Sequence, residues 1–112
     1  MIYIIDDNLN VIDGFMILLK SAGFESKDYV SSEKFLRNYK PEKNDLIILD
    51  IHLTGMSGIE LLEKMDAEKF HLPVVIITAY DDQLTRIAAR NYGALAYFRK
   101  SIDGKTLIGV IK

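Results

Sequence analysis

Three carboxylates, a hydroxyl and an ammonium, five groups with reactive chemistry, stand just past the ends of short apolar runs. Ile2 to Ile5 is followed by Asp6 and Asp7, Leu46 to Leu49 by Asp50, Val74 to Ile77 by Thr78, and Leu95 to Phe98 by Arg99 and Lys100. Three carboxylates brought close together repel one another, so at neutral pH they need raised pKa values or a cation. An all-oxygen donor set suits a hard divalent ion. Mg²⁺ takes one or two carboxylates, keeps several waters and leaves room for phosphate oxygens, and it fits this set better than zinc. With charge neutralised in this way, a free oxygen of Asp50 is a competent nucleophile toward a phosphoryl group. Lys100 would balance charge on the equatorial oxygens, and the Thr78 hydroxyl would donate a hydrogen bond to one of them.

Each residue alone has a plainer reading. An aspartate after a strand is ordinarily a turn residue or a helix cap. Thr78 alone would only end its strand, and a lysine is usually a solvated surface charge. The chemical reading rests on acids, hydroxyl and ammonium recurring at successive strand ends.

The elements that must hold these groups alternate along the chain. Short β-branched runs at Ile2 to Ile5, Glu25 to Val30, Leu46 to Leu49, Val74 to Ile77 and Leu95 to Phe98 are separated by segments of helical period. The helices are expected over Asn8 to Ala22, Ser32 to Tyr39, Gly58 to about Glu68, about Asp82 to Tyr92, and Lys105 to Ile111. Such alternation predicts an α/β fold with a parallel sheet covered on both faces. Gly23 and Gly93 mark helix ends, Asp81 is placed to cap the fourth helix, and Ser57 with Glu60 has capping-box spacing. Ile12, Phe15, Met16, Leu19 and Ala22 share one face of the first helix and read as core. The runs ending at Asp50 and Thr78 are apolar throughout and so are central strands, whereas Glu25-Ser26-Lys27-Asp28 is polar enough for an edge. Pro41 and Pro73 precede strands as turn elements. In an open parallel sheet the functional crevice lies beyond the carboxyl ends of the strands, where the five groups collect.

Composition narrows the class of function. With 112 residues, 49% of them hydrophobic, the chain suits one compact domain. Fourteen basic residues against sixteen acidic ones give a net charge of -2, with no Lys/Arg stripe. Direct nucleic-acid binding is therefore not expected. There is no cysteine, which removes disulfides, thiolate metal sites and thiol nucleophiles and suits a reducing cytoplasm. Neither a signal peptide nor a membrane span is evident.

The motifs Ile-Ile-Asp6-Asp7, Leu-Ile-Ile-Leu-Asp50 with Gly55-Met56-Ser57-Gly58 after it, Val-Val-Ile-Ile-Thr78-Ala79, and Tyr97-Phe98-Arg99-Lys100 occur in this order. Together they resemble the receiver domain of two-component response regulators, over essentially the whole chain, 1–112. The resemblance implies a flavodoxin-like, doubly wound, five-stranded parallel sheet of order 2-1-3-4-5 with five helices. By the same resemblance Asp50 is the phospho-acceptor, Asp7 a direct metal ligand, Asp6 a ligand acting largely through water, and the backbone carbonyl of His52 a further ligand to Mg²⁺. Thr78 and Lys100 correspond to the phosphoryl-sensing pair. Tyr97 corresponds to an aromatic switch that turns inward as Thr78 moves; a tyrosine simply packed against a helix is the alternative. The implied activity is a phosphorelay switch rather than an enzyme in its own right. Its implied partners are a sensor histidine kinase or phosphotransfer protein, a second copy through helix 4, strand 5 and helix 5, and an output domain outside these residues. The Gly23 to Leu36 stretch is similar to receivers that precede helix-turn-helix DNA-binding domains.

Three positions depart from the family pattern. Thr54 stands where proline is usual in the loop after the acceptor. Ser101 replaces the proline that usually follows the lysine, and since a non-proline cis bond costs roughly 2.5 to 4 kcal/mol, a trans link is expected there. Tyr80, two residues past Thr78, together with His52 flanks the approach of an attacking water, which predicts slow autodephosphorylation.

Rival readings fit less well. A phosphorylation-independent interaction module would have no need of the intact acid pair, Asp50, Thr78 and Lys100. A Mg²⁺-dependent aspartyl phosphatase of the haloacid dehalogenase class resembles Asp-x-Asp at its nucleophile, and Asp50-Ile51-His52 lacks the second acid. A flavodoxin-like cofactor site would place phosphate where Asp6 and Asp7 repel it. The last helix, weakened by Gly104 and Gly109, runs to Lys112 without a stop signal, which suits either a stand-alone receiver or a piece of a longer regulator.

Overall fold

The computed structural model describes residues 1–40, 44–100 and 102–112. Five strands and five helices alternate: β1 (Ile2–Ile5), α1 (Leu9–Ser21), β2 (Ser26–Tyr29), α2 (Ser32–Asn38), β3 (Leu46–Asp50), α3 (Gly58–Ala67), β4 (Val74–Thr78), α4 (Gln83–Asn91), β5 (Ala96–Arg99) and α5 (Gly104–Ile111). The strands form one parallel sheet in the order β2-β1-β3-β4-β5, the flavodoxin-like order expected, with polar β2 at an edge.

Strand periodicity of two sorts the core into two layers. On one face Tyr3, Ile5, Ile47, Leu49, Val74 and Ile76 pack with Phe35, Leu61, Leu62, Met65 and Ala89 from α2, α3 and α4. On the other, Ile2, Ile4, Leu46, Ile48, Val75 and Ile77 pack with Ile12 and Leu19 of α1 and Leu107 of α5. Every residue of β1, β3 and β4 is buried, as a sheet covered on both sides requires. Burying each such Ile, Leu or Val contributes about 1.5 to 3 kcal/mol, which holds the three central strands in register.

Helix ends follow their local chemistry. Asn8 accepts from the backbone N–H groups of Asn10 and Val11 to start α1, and Ser57 with Glu60 closes the expected capping box of α3. Gly23 and Gly93 leave their helices at φ +88° and +74°, the left-handed region that glycine enters without steric cost. One cap differs from expectation. Asp82, not Asp81, caps α4 by accepting from the Thr85 N–H at 2.8 Å. Asp81 instead forms a two-pronged ion pair with Arg86, one turn into the helix. Pro73 lies just before β4 as expected, whereas Pro41 and the Lys100–Ser101 link fall on or beside residues outside those described. Among the described residues no peptide bond is cis, and no helix is long and apolar enough to cross a membrane.

Candidate functional site

The sheet register carries the reactive groups to one rim. Ile5 lies beside Leu49, so the chain leaves β1 at Asp6 next to Asp50, the last residue of β3. Asp50 pairs with Ile77, which puts Thr78 one step further along β4, and Thr78 pairs with Arg99, which puts Lys100 one step beyond β5. The Lys100 N–H donates to the Thr78 carbonyl at 2.7 Å, extending the ladder by one bond. The central strands β1, β3 and β4 are buried throughout, and the groups sit at their ends and at the end of β5.

Asp6, Asp7 and Asp50 each offer a carboxylate oxygen, and these oxygens lie within 4.8 Å of one another. Asp6 and Asp50 are buried at 3% and 4% exposure, and Asp7 is exposed. The Lys100 ammonium stands between the two buried acids, 3.1 Å from Asp6 Oδ2 and 3.3 Å from Asp50 Oδ2. The backbone completes their coordination: the Asn8 N–H donates to Asp6 Oδ1 at 2.9 Å and the His52 N–H to Asp50 Oδ1 at 3.2 Å.

One ammonium does not balance three carboxylates. Burial pushes Asp6 above the ordinary carboxylate range and the charge of Asp50 adds to the rise, against the lowering effects of the Asn8 N–H and Lys100. Lys100 is held above its usual value: burial works against its charge, but the hydrogen bond to Asp6 and the charges of Asp50 and Asp6 outweigh it. The rim is thus short of positive charge and offers hard oxygen donors, which fits a divalent cation of the Mg²⁺ type. Metal affinity is the chemistry the acidic cluster itself supports.

Thr78 is fully buried, and its hydroxyl turns to the next loop. It donates to the Tyr80 carbonyl at 2.9 Å and accepts from the Tyr80 N–H at 3.1 Å. Tyr80 is 72% exposed, and its ring meets His52 edge to face with centroids 5.5 Å apart. His52 Nε2 also lies 3.4 Å from the Tyr80 carbonyl. Tyr97, on β5, is half-buried beneath the Arg86 guanidinium of α4, 5.5 Å from its ring centroid. Burial first, and then the charge of Asp81, raise the Tyr97 phenol above its usual value.

Two contacts at the rim carry no sequence motif. The Thr54 hydroxyl lies 3.4 Å from Asp7 Oδ2, so the residue that departs from the family's proline touches a candidate ligand. Glu33, on α2, accepts from the Met56 N–H at 3.2 Å, reaching the loop between Asp50 and α3 from a distant part of the chain. Only the close approach at Gly58 had a local signal, the Gly55-Met56-Ser57-Gly58 turn. A Cβ there would stand 2.7 Å from the Asp50 carbonyl oxygen. A cleft of about 690 Å³ between α1 and β2 shares no residue with the rim.

The comparisons with known proteins agree with this geometry. The family model described as response regulator receiver domain matches residues 2–112. The transcriptional regulatory protein FixJ of Bradyrhizobium diazoefficiens is 30% identical over 111 residues, covering 99% of this chain and 54% of the relative. FixJ of Azorhizobium caulinodans is 28% identical over 111 residues, covering 99% of this chain and 53% of the relative. The solved structure of the response regulator StyR superposes with a TM-score of 0.91 at 34% identity, covering 98% of this chain and 56% of that one. The chain thus spans about half the length of the curated relatives it matches. An acid cluster, a hydroxyl and an ammonium at the strand ends of a 2-1-3-4-5 sheet, with a family match across nearly every residue, place this chain in the receiver-domain family of two-component response regulators.

Proposed function

We propose that residues 1–112 form one receiver domain that works as a phosphorylation switch, with Asp50 as the acceptor. The observation that carries this reading is the buried Asp50 carboxylate, held by the Lys100 ammonium and the His52 N–H within reach of Asp6 and Asp7. A carboxylate fixed in this way is oriented before the donor arrives, and positioning is most of what phosphoryl transfer asks of a protein.

The donor in this reading is a phosphohistidine on a sensor kinase or phosphotransfer protein. An Asp50 oxygen forms the bond to phosphorus as the phosphorus–nitrogen bond breaks, and the leaving imidazole keeps the electron pair and takes up a proton. Asp6, Asp7, Asp50 and the His52 carbonyl would hold Mg²⁺, which would supply positive charge to the phosphoryl oxygens. Lys100 exchanges part of its contact with the acids for a phosphoryl oxygen. Thr78 leaves the Tyr80 carbonyl and donates to another, and Tyr97 responds at the α4, β5 and α5 face. Within that region α4 exposes Leu84 and Ile87, 80% and 46% accessible, which suits dimerisation or contact with an output domain. An output that binds DNA is proposed by analogy with the FixJ relatives, which are transcriptional regulatory proteins, and a cytoplasmic setting by the same analogy.

Incubation with Mg²⁺ and acetyl phosphate, followed by intact-mass analysis, tests the reading. Wild type gains one phosphoryl group only when Mg²⁺ is present, and Asp50→Ala gains none. An adduct that survives the loss of Asp50, or no adduct at all, overturns it.

A further inference from the structure

The loop from Asp50 to α3 is closed at its base, where the Gly58 N–H donates to the Ile51 carbonyl at 2.9 Å. Between those points lies His52, whose carbonyl is a ligand in the proposed switch. Receivers of the resembled pattern stiffen this stretch with a proline, and here Thr54 stands instead. Proline restricts a loop by fixing φ. Thr54 has no ring to fix φ at this position.

Glu33 reaches this loop from across the fold. It sits in the first turn of α2, which Ser31 caps, and its carboxylate reaches over to the apex of the loop. Oε2 accepts from the Met56 N–H at 3.2 Å and lies so close to Gly55 that a Cβ there would come within 2.5 Å of it. Gly55 turns at φ +81°, a conformation that presents the next N–H to the carboxylate and admits no side chain between them. The other oxygen, Oε1, is closed off from solvent and accepts no hydrogen bond among the described residues. Burying a carboxylate oxygen without a partner costs stability. A contact kept at that cost is better explained by what it positions than by what it adds to folding.

We propose that Glu33 is a positioning residue for the metal site: it fastens the loop that carries the His52 carbonyl, in place of the missing proline. The inference rests on the reading of Asp50 and its neighbours as a Mg²⁺-assisted acceptor site. Glu33 touches neither metal nor phosphoryl group, and it acts through the backbone of residues 52–56. Substituting groups that orient metal ligands typically lowers affinity about 10- to 100-fold. A brace acting through a loop belongs at the lower end.

Two variants separate reach from charge. Glu33→Asp keeps the negative charge at the start of α2 but is one methylene too short for Met56, while Glu33→Gln keeps the reach and an acceptor oxygen but loses the charge. Mg²⁺ binding is measured by calorimetry on the full chain, and Asp50 phosphorylation by acetyl phosphate is followed against Mg²⁺ concentration. The expected result is about a tenfold weaker Mg²⁺ dissociation constant for Glu33→Asp, a matching rise in the Mg²⁺ needed for half-maximal phosphorylation, and near wild-type behaviour for Glu33→Gln. Wild-type affinity in Glu33→Asp, or equal weakening in both variants, overturns the brace while leaving Asp50 as acceptor. A wild-type protein that takes neither Mg²⁺ nor phosphoryl group overturns the acceptor reading and the brace with it.

Discussion

The hydroxyl of Thr78 and the carbonyl of Tyr80 share a 2.9 Å hydrogen bond, and the Tyr80 N–H returns a second one to the same hydroxyl at 3.1 Å. The group proposed to sense the phosphoryl oxygen is therefore already engaged, and sensing means exchanging one acceptor for another. Thr78→Val keeps the shape and removes the exchange. Asp50 should still be phosphorylated in this variant, while the amide shifts that phosphorylation induces over α4 and β5 disappear; Thr78→Ser should retain them. Folding should lose about 1 kcal/mol, the typical net worth of one hydrogen bond. Heteronuclear NMR with and without acetyl phosphate reads the outcome, and shifts persisting in Thr78→Val would falsify the exchange.

Tyr80 gives the loop a second property. Its exposed ring is held edge-on to His52 at a centroid distance of 5.5 Å, and the sequence pattern puts this pair where a water attacking phospho-Asp50 is expected to approach. Removing the ring should open that approach to water. Tyr80→Ala is expected to shorten the lifetime of phospho-Asp50 by up to about tenfold, equivalent to roughly 1.4 kcal/mol in barrier. The lifetime is followed by intact mass after removal of the phosphodonor, and an unchanged or longer one counts against shielding.

Asp6 makes the acid cluster sensitive to pH. Its carboxyl is raised by burial and by Asp50, so the folded protein holds that proton more tightly than the unfolded chain does. The resulting stability is fully present below the unfolded pKa and is lost as pH rises through the higher folded one. Metal-free protein should thus become easier to unfold in urea as pH rises across that window, and Asp6→Asn should lack the decline. Mg²⁺ requires the anion, so its affinity should increase over the same window. A metal-free stability that rises there instead would contradict the assignment.

Gly58 sets how closely α3 can approach Asp50. A Cβ would stand 2.7 Å from the Asp50 carbonyl oxygen and 2.8 Å from the Ile51 Cα, both backbone atoms that cannot step aside cheaply. Overpacking of this kind costs about 1 to 3 kcal/mol, more than the roughly 0.5 to 1 kcal/mol that alanine regains over glycine in a helix. Gly58→Ala should lower the urea midpoint and weaken Mg²⁺ binding. Gly109→Ala in α5, where a Cβ meets nothing within 4 Å, should raise the midpoint. Equal effects at the two glycines would show that helix propensity, not the approach to Asp50, governs Gly58.

The sequence alone determined the parts of this protein that depend on periodicity and on position along the chain. Continuous apolar runs separated by helical segments dictate a sheet covered on both faces, and the residues just past the ends of those runs bring Asp6, Asp7, Asp50, Thr78 and Lys100 to one rim. These are local facts with one global solution. The tertiary structure decided what depends on distance across the fold. Only there does Lys100 bridge Asp6 and Asp50, because the strands must pair in register before an ammonium and two carboxylates meet. Only there is Thr78 found turned toward Tyr80, since a hydroxyl has several acceptors within reach and packing selects among them. The cap of α4 shows the same limit at short range. Asp81 and Asp82 are equivalent as residue types, and the position of Arg86 decides which carboxylate caps the helix and which pairs with it. Glu33 is the furthest case: on paper it is one more acid in a helix's first turn, and it becomes part of the site because α2 and the loop after Asp50 fold against each other.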